Sequence, residues 1–255
     1  MSFVLSLARN TLLEAMRNRL LWLAAIIAGA ALGLAQFLNQ VAITESLQIQ
    51  LALLAALLRF AAVFILATFI ITSMVREADD KGTEFLLSQP APRAAYFFGK
   101  FAGYSLLAIA LAAAFSLVLA LFAPAKGLAF WTVSLCCELL IMTAVSLFCV
   151  LSLTQVLSAF AATAGFYLLA RSMAAMQLIA SASLSSEHTL AEEVVGWVVN
   201  ALALLLPGLD RMTQTGWLTD AAPSSADFGM ILLQTAVYVS LIASAALFDL
   251  YRRNF

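Results

Sequence analysis

Two ionisable residues lie inside long apolar stretches, at positions where they could pair with each other. Arg59 is the only charged residue in residues 49–73, and Glu138 is the only one in residues 129–151. Each lies about nine or ten positions from the start of its stretch, which corresponds to a depth of about 14–15 Å at ~1.5 Å of helical rise per residue. Opposite charges at equal depth predict an Arg59–Glu138 ion pair. Such a pair would be either a structural clamp between helices or part of a substrate route, and the sequence is compatible with both.

Residue sets for hydrolytic, metal-dependent or nucleotide-dependent chemistry are missing from this sequence. His188 is the single histidine, so neither a histidine metal site nor an HExxH motif can be built. The three cysteines fall in one apolar stretch and are interpreted as small hydrophobic residues. Gly99-Lys100 lacks the upstream glycine of a phosphate-binding loop. We therefore expect no enzymatic activity, no metal site and no cofactor bound by this chain.

The composition indicates an all-α integral membrane protein. The chain is 64% hydrophobic and 11% charged, whereas soluble domains average about 45–50% apolar and about 25% charged residues. A helix needs roughly 20 mainly apolar residues to cross a bilayer. Six such stretches are predicted, at about residues 20–38, 49–73, 101–123, 129–151, 155–180 and 228–250. Residues 20–255 are thus predicted to form a single transmembrane domain embedded in the lipid bilayer.

Lysines and arginines are distributed unequally between the two sides of these predicted spans. One side carries only two basic residues, Lys126 and Arg211. The opposite side carries nine, namely Arg9, Arg17, Arg19, Arg76, Lys81, Arg93, Lys100, Arg252 and Arg253. Because basic residues concentrate in cytoplasmic loops, both termini are predicted to be cytoplasmic in a multi-pass protein of the cytoplasmic (inner) membrane. The net charge of −1 gives no reason to expect a nucleic-acid partner.

Two further segments are predicted to lie at the membrane surface or partly within it. Residues 1–19 carry a polar stripe formed by Asn10, Glu14 and Arg17 opposite several leucines, which favours an interfacial elbow helix over a simple extension of the first span. Residues 181–227 form an acidic extracytoplasmic segment that includes the apolar residues 190–206. A seventh span there would move the C-terminal arginines outside, so an outer re-entrant helical segment is favoured. Arg171, near the outer end of the fifth span, is expected to reach the lipid headgroups.

The most polar stretch of the chain, residues 76–100, reads READDKGTEFLLSQPAPRAAYFFGK. Within the predicted cytoplasmic loop 74–100, a glycine ends the preceding helix and the following threonine can N-cap a short new one. Glu84 would lie in the first turn of this new helix, where a negative charge is favourable, and the apolar triplet 85–87 follows it. Pro90 and Pro92 would then end the helix. The predicted short helix consists of Gly82, Thr83, Glu84, Phe85, Leu86 and Leu87. The triplet would either cover the underside of the bundle or dock into a cleft on a soluble partner.

The order of residues in this loop resembles the loop between spans two and three of ABC-2 type transporter permeases. The shared pattern is E-x4-GTE-x-LLS-x-P-x2-R-x2-Y-x2-GK, which here runs from Glu77 to Lys100. The resemblance implies a six-span permease subunit that pairs with a second permease copy, as a homodimer or with a similar chain. It also implies that separate cytoplasmic ABC ATPase subunits bind ATP and Mg. These subunits would dock on residues 82–87, which would be the coupling helix.

Small residues recur at four-residue spacing on two predicted spans. Gly29 and Gly33 lie on the first span, and Ala161 and Gly165 lie on the fifth. Such pairs let helices approach closely, within one chain or between two. The resemblance assigns spans one and five to the contact between permease copies, so these four residues are candidates for dimer packing.

The leading functional expectation from the resemblance is ATP-driven export of a lipid, drug, peptide or other amphiphile, with ATP hydrolysed on the separate subunit. The apolar spans suit a hydrophobic cargo without identifying it. A second expectation within the same family is the transmission of mechanical work to an extracytoplasmic accessory protein, as in metal-site maturation. A third, outside transport, is a scaffold for membrane assembly.

Overall fold

The computed structural model describes residues 2–18, 20–41, 46–80, 93–183, 190–219 and 225–252, and the regular structure within these ranges is helical, without strands. The helices are α1 (Ser2–Arg17), α2 (Leu20–Val41), α3 (Ser46–Asp79), α4 (Arg93–Leu119), α5 (Ala125–Leu153), α6 (Val156–Ser183), α7 (Leu190–Leu205), α8 (Gly216–Thr219) and α9 (Ser225–Arg252). A 3₁₀ helix, Leu209–Arg211, lies between α7 and α8. The predicted coupling helix, residues 82–87, lies outside the described residues.

Five of the described helices, namely α3, α4, α5, α6 and α9, are long and apolar enough to cross a membrane. A sixth crossing is obtained if α1 and α2, which meet at a bend of 56°, are counted as one span. The prediction of an all-α, multi-pass membrane protein is therefore confirmed, and a count of six is reached only with this bent pair. The third span, predicted at about 101–123, is helical from Arg93 to Leu119, because the chain turns before Pro124 at the start of α5.

Contacts between helix termini define two ends of the bundle. At the first, which we call the Arg93 end, the Arg93 guanidinium of α4 donates to the Leu250 carbonyl oxygen of α9 at 3.1 Å. At the second, the Gly127 end, the Phe130 ring of α5 and the Phe228 ring of α9 are 5.2 Å apart. The helices α5 and α9 therefore run in the same direction, as the fourth and sixth of six alternating spans must.

Helix α5 forms the centre of the bundle. It contacts α3, α4, α6, α8 and α9. Trp131, Leu135 and Leu139 are fully buried, and so are Ser134 and Glu138 on the same helix. A helix that is apolar on all sides is expected at the centre of a membrane or large protein core rather than at its edge. The sequence of α5 thus carries a carboxylate into the middle of the protein.

Helix α1 packs along α4 where Thr11 meets Gly103. A Cβ built on Gly103 would lie 2.8 Å from Thr11 Cβ, so glycine permits this close approach. On its far side, α1 leaves Leu5 and Met16 exposed over 74% and 61% of their surface. These apolar side chains suit contact with lipid, as the predicted interfacial elbow requires, and the elbow itself stays a prediction.

Candidate functional site

A buried polar cluster joins α3, α5, α6 and the turn that follows the 3₁₀ helix. We call it the Thr213 cluster, and it consists of Arg59, Ser134, Glu138, Arg171 and Thr213. Thr213 Oγ1 donates to Glu138 Oε2 at 2.6 Å, and the Thr213 amide donates to Ser134 Oγ at 2.9 Å. Arg59 Nη1 donates to the Thr213 carbonyl oxygen at 2.8 Å. Every polar atom of Thr213 is therefore hydrogen-bonded within the cluster.

The cluster lies near the middle of the bundle. Arg59, Glu138 and Arg171 each lie close to the midpoint of a helix that is 28 to 34 residues long. Thr213 contacts all three of these side chains. The helices that follow it in the chain, α8 and α9, begin at the Gly127 end. The turn at 209–213 therefore reaches about 14 Å into the bundle from that end, because Thr213 bonds Ser134, nine residues after the start of α5 at ~1.5 Å of rise per residue.

The backbone of Thr213 is in the left-handed region, with φ of 47°. For a β-branched residue this conformation is strained, at a cost on the order of 1–3 kcal/mol. The three hydrogen bonds made by its amide, carbonyl and hydroxyl groups hold it in place. Strained residues that the surroundings hold in this way concentrate at functional sites, which makes the turn a candidate for a movable element.

Arg171 supports the same turn from α6. Its guanidinium donates to the carbonyl oxygen of Leu209 and, at 3.0 Å, to that of Met212. The expectation that Arg171 reaches the lipid headgroups is wrong. Both carbonyl oxygens belong to the turn at 209–213, where Leu209, Met212 and Thr213 are buried, so they offer the cation hydrogen-bond acceptors inside the bundle.

The structure brings Arg59 and Glu138 into one cluster but places Thr213 between them. Within the described residues, the ion-pair contact of Glu138 is with Arg171, whose Nη1 lies 3.9 Å from Glu138 Oε1. The direct Arg59–Glu138 pair predicted from equal depth is replaced by a relay through Thr213. Sequence reasoning missed Thr213 because it is 154 positions from Arg59 and belongs to no periodic segment. Arg171 carried a usable signal, since it is a third charge in an apolar stretch.

The charges of the Thr213 cluster do not cancel. Two guanidinium groups face one carboxylate, and backbone carbonyl oxygens supply the remaining negative partners. Within the described residues, Arg59 Nε, Glu138 Oε1 and the Tyr167 hydroxyl are buried and make no hydrogen bond of good geometry, although Tyr167 interacts with both Glu138 and Arg59. Such atoms are few in native proteins. The cluster can therefore hold the turn electrostatically and still has hydrogen-bonding capacity for a second arrangement.

A second polar cluster lies at the Arg93 end. We call it the Glu77 cluster, and it consists of Glu14, Ser73, Glu77, Tyr96, Lys100 and Tyr104. Glu77 at the end of α3 forms an ion pair with Lys100 of α4 and accepts a hydrogen bond from the Tyr96 hydroxyl at 3.2 Å. The cluster therefore ties the end of α3 to the beginning of α4.

The same cluster includes α1. The Tyr104 hydroxyl donates to Ser73 Oγ at 3.2 Å, and Ser73 Oγ donates to Glu14 Oε1 at 2.8 Å. Glu14 belongs to the polar stripe predicted on α1, and the structure turns it toward α3 and α4. Together with the Arg93–Leu250 hydrogen bond, these contacts join α1, α3, α4 and α9 around the two flanks of residues 81–92.

Comparison with protein-family models and with curated proteins gave no match to this chain. The family resemblance of residues 77–100 therefore rests on the motif itself. The structure adds one fact about that motif, which is that Glu77, Tyr96 and Lys100 from its two flanks contact one another.

The candidate dimer-packing residues are not used for packing between the described helices. A Cβ built on Gly29, Gly33 or Gly165 would meet no atom of another described element within 4 Å. Ala161 is exposed. Close packing inside the chain therefore does not explain these small residues, and their role between two copies stays a prediction.

Substitution of Gly127 is expected to displace α8. A Cβ on Gly127 would overlap the Trp217 carbonyl oxygen and lie 3.0 Å from its carbon. Since the obstacle is backbone, Gly127→Ala should lower the free energy of unfolding by about 1–3 kcal/mol. Gly165→Ala has open space and should be neutral or stabilising, by up to about 1 kcal/mol. Thermal unfolding in detergent checks both variants, and equal midpoints would contradict this packing of α8 on α5.

Proposed function

We propose that this chain is the transmembrane permease subunit of an ATP-driven ABC-2 type transporter that exports an amphiphile. The observation that carries the proposal is the Glu77 cluster, because it bonds both flanks of residues 81–92 to each other and to the bundle. A loop that receives force from an ATPase needs such a base. Without it, the force would deform the loop and would not move the helices.

Helix α3 would carry that force across the bundle. It is continuous from Ser46 to Asp79 and holds both Glu77 and Arg59, which are about 27 Å apart at ~1.5 Å per residue. A tilt of α3 would move the Arg59 guanidinium relative to α5 and α6, which hold the other side of the Thr213 turn. The strained turn would then exchange partners, as bistable elements in transporters and switches do.

The distribution of charge supports a cytoplasmic Arg93 end in a protein of the cytoplasmic membrane. Among the described residues, the side of the Gly127 end carries Lys126 and Arg211, whereas the helices around the Arg93 end carry Arg9, Arg17, Arg76, Arg93, Lys100 and Arg252. Basic residues are enriched on the cytoplasmic side of membrane proteins. ATPase subunits binding ATP and Mg would then approach the correct face.

The segment from α7 to α8 is proposed to be re-entrant. Helix α7 has 16 residues, or about 24 Å at ~1.5 Å per residue, which is shorter than a hydrocarbon core of about 30 Å. The hydroxyl of Tyr238, in the middle of α9, donates to the Leu204 carbonyl oxygen at 3.4 Å. Helix α7 thus ends at the depth of the Thr213 cluster, and the chain returns toward the Gly127 end through α8.

Copurification with the ATPase subunit tests the docking role of residues 82–87. Phe85→Asp combined with Leu86→Asp would place charges in an apolar contact. Loss of two anchors of about 2 kcal/mol each should reduce ATPase retention more than tenfold. The matched control is Gln89→Asp combined with Ala91→Asp, which adds the same charge to the same loop and should retain the ATPase.

The outcomes separate the candidate functions. Retention of the ATPase by the Phe85/Leu86 variant in detergent would overturn the docking assignment. If no ATPase binds any version of the chain, the scaffold function is favoured over transport. Cargo-stimulated ATPase activity of the purified complex would favour export over the transmission of work to an extracytoplasmic protein.

A further inference from the structure

A cavity of about 780 Å³ lies between α6, α7, residues 206–217 and α9. Its volume falls within the range of about 300–1,000 Å³ that is typical of small-molecule sites. Apolar walls come from residues such as Met173, Leu206, Met230 and Leu233. Polar groups also face it, including Gln177, Asp210, Arg211 and Gln234. A lining of this kind suits a molecule with a polar and an apolar part.

The polar groups converge on Gly208. From the position of a Cβ on Gly208, Asp210 Oδ1 and Gln234 Nε2 each lie at 3.5 Å, and Arg211 Cδ lies at 3.8 Å. A carboxylate, an amide and the side chain of an arginine thus surround one small space. The glycine leaves that space open, and its φ of −72° is one that any L-residue can adopt.

The two charged groups at this point are available to a ligand. Within the described part of the chain, Asp210 and Arg211 make no ion pair with each other or with another residue. Opposite charges held side by side without partners can bind a molecule that carries both signs. The Arg211 guanidinium suits a phosphate and the Asp210 carboxylate suits an ammonium group.

Part of the cavity wall is continuous with the exposed apolar surface of α9. Met230 and Leu233 line the cavity and are also exposed over 63% and 60% of their surface. Both belong to a helix that is long and apolar enough to cross a membrane. A ligand would therefore reach the polar pocket from the side, along hydrocarbon, and its apolar part would remain among these residues.

We propose that this cavity binds a zwitterionic phospholipid that carries a primary ammonium group. Its phosphate lies at Arg211, its ammonium group at Asp210, and its alkyl chains pass Met230 and Leu233 into the bilayer. The proposal rests on the proposed function only for the consequence that this lipid class is the exported cargo. Binding itself needs neither ATP nor an ATPase.

Lipid retention by the purified, delipidated chain tests the site. Native mass spectrometry in detergent would compare the binding of phosphatidylethanolamine with that of phosphatidylglycerol, which has the phosphate but no ammonium group. Gly208→Leu should weaken phosphatidylethanolamine binding at least tenfold by filling the pocket. Gly196→Leu, on α7 with no atom within 4 Å of the new side chain's Cβ, is the matched control and should bind as the wild type does.

Two further variants keep the test valid if Gly208→Leu folds poorly. Arg211→Gln should weaken the binding of both lipids at least tenfold. Asp210→Asn should weaken the binding of phosphatidylethanolamine only and abolish the preference for it. The proposal is overturned if folded Arg211→Gln and Asp210→Asn variants bind both lipids as the wild type does. It is also overturned if the wild type shows no preference between the lipids.

The result is independent of the docking experiment. If the ATPase copurifies with the wild type but Asp210→Asn leaves lipid binding unchanged, the lipid site is wrong and the permease proposal stands. If lipid selectivity depends on Asp210 but no ATPase is captured, the site stands and the ATP-driven function fails.

Discussion

Replacing Glu138 with alanine is expected to lower the free energy of unfolding by about 3–5 kcal/mol. The Glu138 side chain is fully buried, and its removal leaves the guanidinium groups of Arg59 and Arg171 without a carboxylate. Denaturant-induced unfolding in detergent, followed by circular dichroism, measures the change. Asp249→Ala is the matched control, because that carboxylate bonds Ser152 at 3.0 Å at the Arg93 end and should cost only about 1 kcal/mol.

A charge swap in the Thr213 cluster should fail to restore this loss. If Arg59 and Glu138 acted as a simple pair, Arg59→Glu combined with Glu138→Arg would recover stability. In the observed geometry the new arginine would face Arg171, and the new glutamate would face the Thr213 carbonyl oxygen, which can only accept. We therefore expect the swapped protein to be no more stable than Glu138→Ala. Recovery to within about 1 kcal/mol of wild type would show that the relay through Thr213 is dispensable.

Lys100→Glu is the second substitution with a large expected effect. The side chains of Lys100 and Glu77 are only 7% and 17% exposed, so two carboxylates would meet in a poorly solvated site. Breaking such a buried pair costs roughly 3–5 kcal/mol, and the partial exposure of Glu77 places the expected loss near the lower value. The same unfolding measurement applies. Lys126→Glu, an exposed residue at the start of α5, provides a control with the same change of charge.

Here the charge swap should succeed. Glu77→Lys combined with Lys100→Glu keeps a direct pair, and the Tyr96 hydroxyl can accept a hydrogen bond as well as donate one. Most of the lost stability should return, together with ATPase retention if the proposed docking is correct. A swapped protein as unstable as Lys100→Glu would mean that the pair depends on its orientation, and the Glu77 cluster would not be the simple anchor described above.

The opposite outcomes expected for the two swaps follow from how the clusters are built. The Glu77 cluster joins two helix ends that a short segment already brings together, so one pair largely defines it. The Thr213 cluster depends on three helices and a non-helical turn, and each charged group has partners of fixed donor or acceptor character. Under the proposed function, the turn would respond to a tilt of α3 while keeping its hydrogen bonds to α5.

Sequence reasoning placed the helices well because the relevant physics is local. A run of about 20 apolar residues has few alternatives to a membrane helix. The apolar stretches at 49–73 and 129–151 correspond to α3 and α5, and they place Arg59 and Glu138 at similar depth. The count of spans was less secure, because α2 reaches a span only together with α1 across a bend.

By itself, the sequence determined the helical membrane class, the separation of basic residues between the two ends, and the presence of single charges at mid-depth within apolar stretches. Only the tertiary structure decided their partners. It inserted Thr213 between Arg59 and Glu138, turned Arg171 inward, and gathered Asp210 and Arg211 around Gly208. The physical reason is that these contacts involve a turn whose position depends on the packing of α5, α6 and α9 around it, and no spacing within a single helix encodes that position.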